Sequence, residues 1–216
     1  MGCGREGGVT QQQDHPIFTE SMGLIQARLG HTGLAPLQQA VLERLIHSSG
    51  DFALRSLLRC REQDCRAGLR AMAAGTAILT DTAMAAAAVA PMARRSFGNP
   101  VVCALDSVPA QPDPPATRAA EGMAVALRAH ARPVVLIGSA PTALMRLLAL
   151  VEQGHPAPAL VVGMPVGFVG VLQAKAALAR SGLPQVRLEG SRGGAALVAA
   201  VANALLRQGW LERPRP

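Results

Sequence analysis

Aromatic side chains are scarce in this sequence: four Phe, one Trp and no Tyr among 216 residues, 2% of the chain. Half of the residues are nonetheless apolar. Ala, Val and Leu must therefore fill the core, and helices built from them can pack closely. The scarcity bears on partners too. A net charge of +7 and a pI near 10.8 suggest a polyanion. RNA and single-strand binders usually supply aromatic rings for stacking, and the arginines here are scattered rather than clustered. A polyanionic small molecule accounts for the charge equally well, and no nucleic-acid partner is expected.

Cysteine is also sparse. Cys3, Cys60, Cys65 and Cys103 form no C-x-x-C pair, and no His stands at zinc-ligand spacing from Cys60 or Cys65. Reduced thiols in a cytoplasmic protein are expected, with no metal site of the protein's own. The opening MGCGREGGVTQQQ lacks the apolar stretch of a secretion signal. Gly2 is not followed by Ser or Thr at position 6, which is Glu6, so myristoylation is not expected. The longest uncharged run, Pro156 to Ala174, has the length of a membrane span. Three prolines and three glycines interrupt it, and it reads as strand, glycine loop and helix start buried in protein, with no membrane partner. A G-x-S-x-G elbow, a P-loop and an H-E-x-x-H motif are all missing.

What is present is alternation. Two helical patterns come first. One runs from Pro16 to Leu29, with Ile17, Met22, Ile25 and Leu29 on one side; the other carries Leu37, Val41, Leu45 and Ile46 at helical spacing and ends near His47 to Gly50. Five short apolar runs follow, at Ala77–Thr80, Val101–Leu105, Val134–Ile137, Leu160–Gly163 and Val186–Leu188. Their length suits buried parallel strands. Helical stretches fall at 64–74, 82–90, 117–130, 141–152, 168–181 and 194–207. The pattern implies right-handed βαβ units. The expected fold is α/β: a three-layer αβα domain with a mostly parallel sheet of about five strands, preceded by two N-terminal helices. One domain spans 15–208, between a disordered tail at 1–14 and a C-terminal tail at 209–216. Pro109–Pro115 reads as a surface loop.

Open α/β sheets bind ligands beyond the carboxyl ends of their strands. Thr80-Asp81-Thr82, Gly138-Ser139-Ala140-Pro141-Thr142 and Gly163-Met-Pro-Val-Gly-Phe168 fall there. Pro141 sits where a first helical turn begins, and the N–H groups of that turn favour an anion. The glycines after residue 163 are spaced G-x3-G-x2-G rather than G-x-G-x-x-G, and no acidic residue follows at the ribose spacing, so a dinucleotide is disfavoured. Those glycines suit either the close approach of a flat ligand or packing of helix on strand. Arg192-Gly193-Gly194 opens the last helix and Thr117-Arg118 another, each arginine placed to meet a carboxylate. His47, at a helix C-terminus, suits either a dipole contact or proton transfer.

Taken together, the motifs resemble those of the precorrin-8X and cobalt-precorrin-8 methylmutases. The matching segments are Gly163-Met-Pro-Val-Gly-Phe-Val-Gly170 followed by Lys175; Ile137-Gly-Ser-Ala-Pro-Thr-Ala-Leu144; Arg44-Leu-Ile-His47; Thr80-Asp81 with Met84; Thr117-Arg118; and Arg192-Gly193-Gly194. Their order and spacing agree from about His15 to Leu206. The chain departs from the usual family pattern at Glu20, at Cys60-Arg-Glu-Gln63, at Ser139, at Gln173-Ala174 and at Ala195.

The resemblance implies an isomerase of cobalamin biosynthesis that moves a methyl group on ring C of a corrin precursor, consuming no cofactor, in a homodimer with its sites near the subunit interface. The product would be hydrogenobyrinic acid or its cobalt form, cobyrinic acid, handed on to a neighbouring enzyme of the pathway. By the same resemblance His47 is the acid–base residue. Ser21, Thr80, Asp81, Met84, Arg118, Ser139, Thr142, Gly163, Pro165, Gly167, Lys175, Arg192, Gly193 and Gly194 form the substrate site. A catalytically weakened homologue that only binds a corrinoid is the alternative. The positive charge suits a tetrapyrrole bearing many carboxylates.

Overall fold

The computed structural model describes residues 14–108 and 116–213. The tail 1–13, the segment Pro109–Pro115 and residues 214–216 lie outside them, and with them the expectations for those stretches.

Two helices come first, α1 (Pro16–Leu29) and α2 (Pro36–Ser49). Each has Pro in its first turn, where no N–H is required. Gly50 closes α2 in the left-handed conformation (φ 68°) that glycine adopts without steric cost. Ile25 and Leu29 of α1 pack on Leu42 and Ile46 of α2, with Phe52 and Leu58 alongside. A short helix α3 (Leu54–Leu57) then leads into strand β1 (Leu58–Cys60).

The alternation follows: α4 (Glu62–Ala73), β2 (Ile78–Thr80), α5 (Ala83–Ser96), β3 (Val101–Cys103), α6 (Arg118–Ala129), β4 (Val134–Ile137), α7 (Pro141–Glu152), β5 (Leu160–Gly163), α8 (Val171–Arg180), β6 (Gln185–Leu188) and α9 (Ala195–Leu211). The strands form one sheet in the order β1-β6-β5-β4-β2-β3. All neighbours are parallel except β1, which runs antiparallel to β6 and covers that edge.

Alternate strand residues serve opposite cores. Val134, Leu136, Leu160, Val162, Val186 and Leu188 face a core shared with α2, α4, α5 and α9. Val135, Ile137 and Val161 face a second core, shared with α6, α7 and α8. Burying each such side chain stabilises the fold by about 1.5–3 kcal/mol. Helix α9 is apolar nearly all round and lies against α2, α4 and α5. The small side chains of Ala199, Ala200, Ala202 and Ala204, all buried, allow that close approach.

Several boundaries differ from the sequence reading. The described sheet has six strands rather than about five. β1 was not expected, because three residues, one of them the exposed Arg59, carry no periodic signal. The strand expected over Val101–Leu105 stops at Cys103 and turns into a 3₁₀ turn at Ala104–Ser107. The last helix continues to Leu211, beyond the 207 at which its pattern was expected to end. Gly209 is buried there, so close to Phe97 and Leu69 that an added Cβ would stand 3.0 and 3.2 Å from them. The uncharged stretch 156–174 resolves into β5, a loop and the start of α8. No helix among the described residues is long and apolar enough to cross a membrane.

Candidate active site

The chain reverses direction across the sheet between β2 and β4. It leaves β2 for β3 on one side and returns to β4 on the other. Such a switch point leaves a crevice beyond the strands' carboxyl ends. Four loops meet there, and backbone hydrogen bonds join three of them. Met164 N–H donates to the Ile137 carbonyl (2.9 Å), Val166 N–H to Gly138 (3.1 Å), Gly167 N–H to Ser191 (3.1 Å) and Gly194 N–H to Met164 (3.0 Å).

The glycines permit this junction. A Cβ on Gly138 would stand 2.7 Å from the backbone of Gly194 and Ala195, and one on Gly193 would overlap the Met164 carbonyl oxygen. One on Gly163 would collide with the Leu178 side chain. Of the two readings open for the glycines of 163–170, packing accounts for Gly163. Gly167 differs: its φ of +131° excludes other residues, while only Val171 lies near, at 3.6 Å.

The fourth loop, after β2, carries Asp81, which is fully buried. Its Oδ2 accepts from the backbone N–H groups of Ser139 (2.6 Å) and Ala140 (2.8 Å), in the loop that leads into α7. These two N–H groups, just ahead of α7, are thus answered by the protein's own carboxylate. The other oxygen, Oδ1, is buried without a hydrogen-bond partner. Thr80 is buried as well and donates to the Thr82 carbonyl (3.0 Å).

Lys175 is likewise committed inward. It is 3% exposed, and its ammonium donates to the carbonyls of Gly190 (2.7 Å) and Arg192 (2.6 Å), tying α8 to the loop before α9. Burial, and secondarily Arg187, brings its pKa down to about 8. Pro165 is buried too. Around these fixed groups stand exposed ones. Met84 is on the first turn of α5, Arg118 opens α6, and Thr142 is on the first turn of α7. The Thr142 hydroxyl pairs with that of Thr117 at 2.9 Å, bringing the starts of α6 and α7 together. Ser139 is half-buried between Asp81's hydrogen bond and solvent.

His47 occupies the last turn of α2 and is half-buried. Its Nδ1 lies 2.8 Å from Ser21 Oγ on α1, and the Phe18 ring meets it edge-on at 5.2 Å. When the Ser21 hydroxyl donates to Nδ1, the neutral ring's proton resides on Nε2. Burial, and then the Arg44 charge, lowers the imidazole pKa below its ordinary value. Arg44 and Arg207 both lie over the Phe18 ring, at 5.0 and 5.4 Å. Arg207 is in turn paired with Asp14. Asp51, four residues beyond His47, forms a 2.8 Å ion pair with Arg192. The helix bearing His47 is thereby bridged to the loop of Gly193 and Gly194.

Phe18 and Asp51 were not singled out from the sequence. The i, i+3 spacings of Phe18 with Ser21 and of Arg44 with His47 were the available signal, since such pairs share a helix face. Among the segments that depart from the family's usual pattern, Glu62 has a structural role. Its carboxylate accepts from the N–H groups of Leu37 (3.0 Å) and Gln38 (3.2 Å) at the start of α2. No group of His, Cys, Asp or Glu suited to a metal occurs among the described residues.

The family model for precorrin-8X methylmutase (CbiC) matches residues 16–208. A cobalt-precorrin-8 methylmutase of Synechocystis is 35% identical over 213 residues, 92% of this chain and 98% of the relative. A precorrin-8X methylmutase of Pseudomonas aeruginosa is 39% identical over 198 residues, 88% and 93% of the two chains. Among solved structures, precorrin-8X methylmutase from Thermus thermophilus superposes with a TM-score of 0.79 at 39% identity, covering 89% of this chain and 95% of that one.

Proposed function

This chain belongs to the precorrin-8X methylmutase family and is an intramolecular methyl-transferring isomerase of cobalamin biosynthesis, and we propose that His47, oriented by Ser21, is its acid–base residue for methyl migration on ring C. The carrying observation is the 2.8 Å contact between Ser21 Oγ and His47 Nδ1. With Nδ1 held there, Nε2 is the atom free to exchange a proton with the macrocycle. Protonation makes the conjugated system electron-poor and favours migration, and the same ring recovers the proton afterwards. General acid–base help of this kind is typically worth about 10²–10⁴-fold.

The substrate is a flat polycarboxylate. Arg118 and Arg192 are exposed at the mouth of the crevice and suit its acetate and propionate arms. Met84, Ser139, Thr142 and the Gly167 and Gly194 turns border its face. Thr80, Asp81, Gly163, Pro165, Lys175 and Gly193 act from beneath, by fixing the loops on which the contacting groups stand.

A second copy of the chain belongs on the loop before α8. Phe168 is 89% exposed and Val169 90%, with the exposed Val166 and Leu172 beside them. Contiguous apolar exposure of this kind marks an interaction surface, and a homodimer would cover it. Free thiols at Cys60, Cys65 and Cys103 suit a cytoplasmic setting, where the product would pass to the next enzyme of the pathway.

Incubation of the purified protein with precorrin-8X and, separately, with cobalt-precorrin-8 tests the reading by absorption spectroscopy. The parent protein converts one of them to the corrin chromophore. His47→Ala still binds but turns over at least about 10²-fold more slowly. A His47→Ala variant near the parent rate removes His47 from the mechanism. A parent spectrum of bound substrate that never changes leaves a carrier in place of an enzyme.

A further inference from the structure

A single hydrogen bond is a loose tether for an imidazole. Ser21 Oγ holds His47 at Nδ1 alone. The χ2 torsion of histidine has broad wells, so the ring plane can still swing while that bond survives. Proton exchange through Nε2 needs the plane fixed, because a misplacement of about 1 Å can cost about 10²-fold in rate.

Phe18 supplies a second point of contact. It lies one helical turn before Ser21 on α1, so both side chains share one face of the helix. Its ring and the imidazole have centroids 5.2 Å apart and planes at 76°, the edge-to-face geometry that aromatic pairs prefer. Phe18 does not belong to the apolar cluster of Ile25, Leu29, Leu42 and Ile46 that seals α1 onto α2. Sealing that interface therefore does not account for its place.

The Phe18 ring is itself held by charge. The guanidinium of Arg44, on α2, lies 5.0 Å from the ring centroid, and that of Arg207, on α9, lies 5.4 Å from it. Both are within cation–π range. Arg207 is anchored by Asp14. Arg44 Nε is buried with no hydrogen-bond partner among the described residues. A space of about 170 Å³ between α1, α2 and α9 adjoins the ring. Phe18 borders it with Met22, Gln26, Arg44, Arg207 and Gln208, and His47 does not. The ring is thus not wedged in place on every side, and the two cations keep it against the imidazole.

We propose that Phe18 is a positioning residue of the isomerase, whose ring sets the plane of the His47 imidazole so that Nε2 faces the macrocycle. The proposal rests on His47 as the acid–base residue. Ser21 fixes the tautomer, and Phe18 fixes the tilt.

The test compares the parent, Phe18→Leu, His47→Ala and the double variant with precorrin-8X and with cobalt-precorrin-8, at a temperature where all are folded. Phe18→Leu should lower kcat about 10-fold and leave KM within about 3-fold. In the His47→Ala background the same substitution should leave the residual rate unchanged, because Phe18 acts only through the imidazole. Relaxation of 13C-labelled histidine, with the His47 signal assigned by its loss in His47→Ala, reads the ring directly. The parent imidazole should show an order parameter near the rigid value of about 0.85, and that of Phe18→Leu should fall.

A parental kcat in Phe18→Leu, a raised KM at parental kcat, or an equal loss with and without His47 would overturn the proposal. So would an imidazole that is already mobile in the parent, a measurement that decides even if Phe18→Leu does not fold. A His47→Ala protein at the parent rate is the separate result that removes the acid–base reading, and this proposal with it.

Discussion

The carboxylate of Asp81 accepts a 2.6 Å hydrogen bond from the backbone N–H of Ser139, joining the loop after β2 to the loop between β4 and α7, across the point where the sheet changes direction. A charge-assisted bond of this kind contributes about 1.5–3 kcal/mol. Asp81→Asn keeps an acceptor of the same shape but loses the charge that the α7 N-terminus favours. It should lower stability by about 1–3 kcal/mol in urea unfolding, and turnover should fall at temperatures where the variant is still fully folded. Unchanged turnover in a destabilised but folded variant would show that this junction supports the fold alone.

His47 provides a pH-dependent readout. Its pKa is lowered by burial first and by the charge of Arg44 second. Arg44→Met keeps much of the apolar stem against Phe18 and removes the charge. The His47 titration, followed by NMR of the imidazole protons, should then move up toward its ordinary value of 6.5 without reaching it, because burial remains. The effect on stability has a definite sign. The folded protein holds the His47 proton less tightly than the unfolded chain. Between the folded pKa and 6.5 the unfolded state therefore binds more protons, and stability falls as pH is lowered through that window. In Arg44→Met the fall should shrink. An unmoved midpoint would mean that the guanidinium does not act on the ring.

Two glycine-to-alanine substitutions should behave in opposite ways. Gly193→Ala places a methyl on the Met164 carbonyl oxygen and must open the junction of the loops. Gly23, within α1, has nothing within 4 Å of a built Cβ. There alanine should raise stability by about 0.5–1 kcal/mol through helix propensity. Thermal unfolding checks both; activity should fall in the first and stay in the second. A Gly193→Ala protein with parental activity and melting would refute the packing role assigned to that glycine.

Much of the architecture could be read from hydrophobic pattern alone. The strands Val134–Ile137 and Leu160–Gly163 and the helix Pro141–Glu152 have the boundaries that their residues suggest. They lie in the centre of the sheet, where burial on both faces leaves an uninterrupted apolar run bounded by glycine or proline. Legibility falls toward the edges. β1 is three residues long, and its place is set by pairing with β6, some 130 residues later, rather than by its own composition. The site divides in the same way. His47 and Ser21 were identifiable through a matched motif, and the structure brings the two within hydrogen-bond distance. What Asp81 and Lys175 do could not be read, because both spend their charge on backbone groups contributed by distant segments. Backbone N–H and carbonyl groups are the same in every residue and leave no mark in a sequence. Asp51's pairing with Arg192 joins the helix of His47 to the final glycine turn.

Arg207, in the last helix α9, lies over Phe18, which in turn meets His47 edge-on. During synthesis the ribosome releases His47 and its serine long before that arginine emerges. The surroundings of the imidazole are thus incomplete until α9 is in place. A polypeptide lacking α9 would hold His47 and Phe18 without the guanidinium that lies over the Phe18 ring.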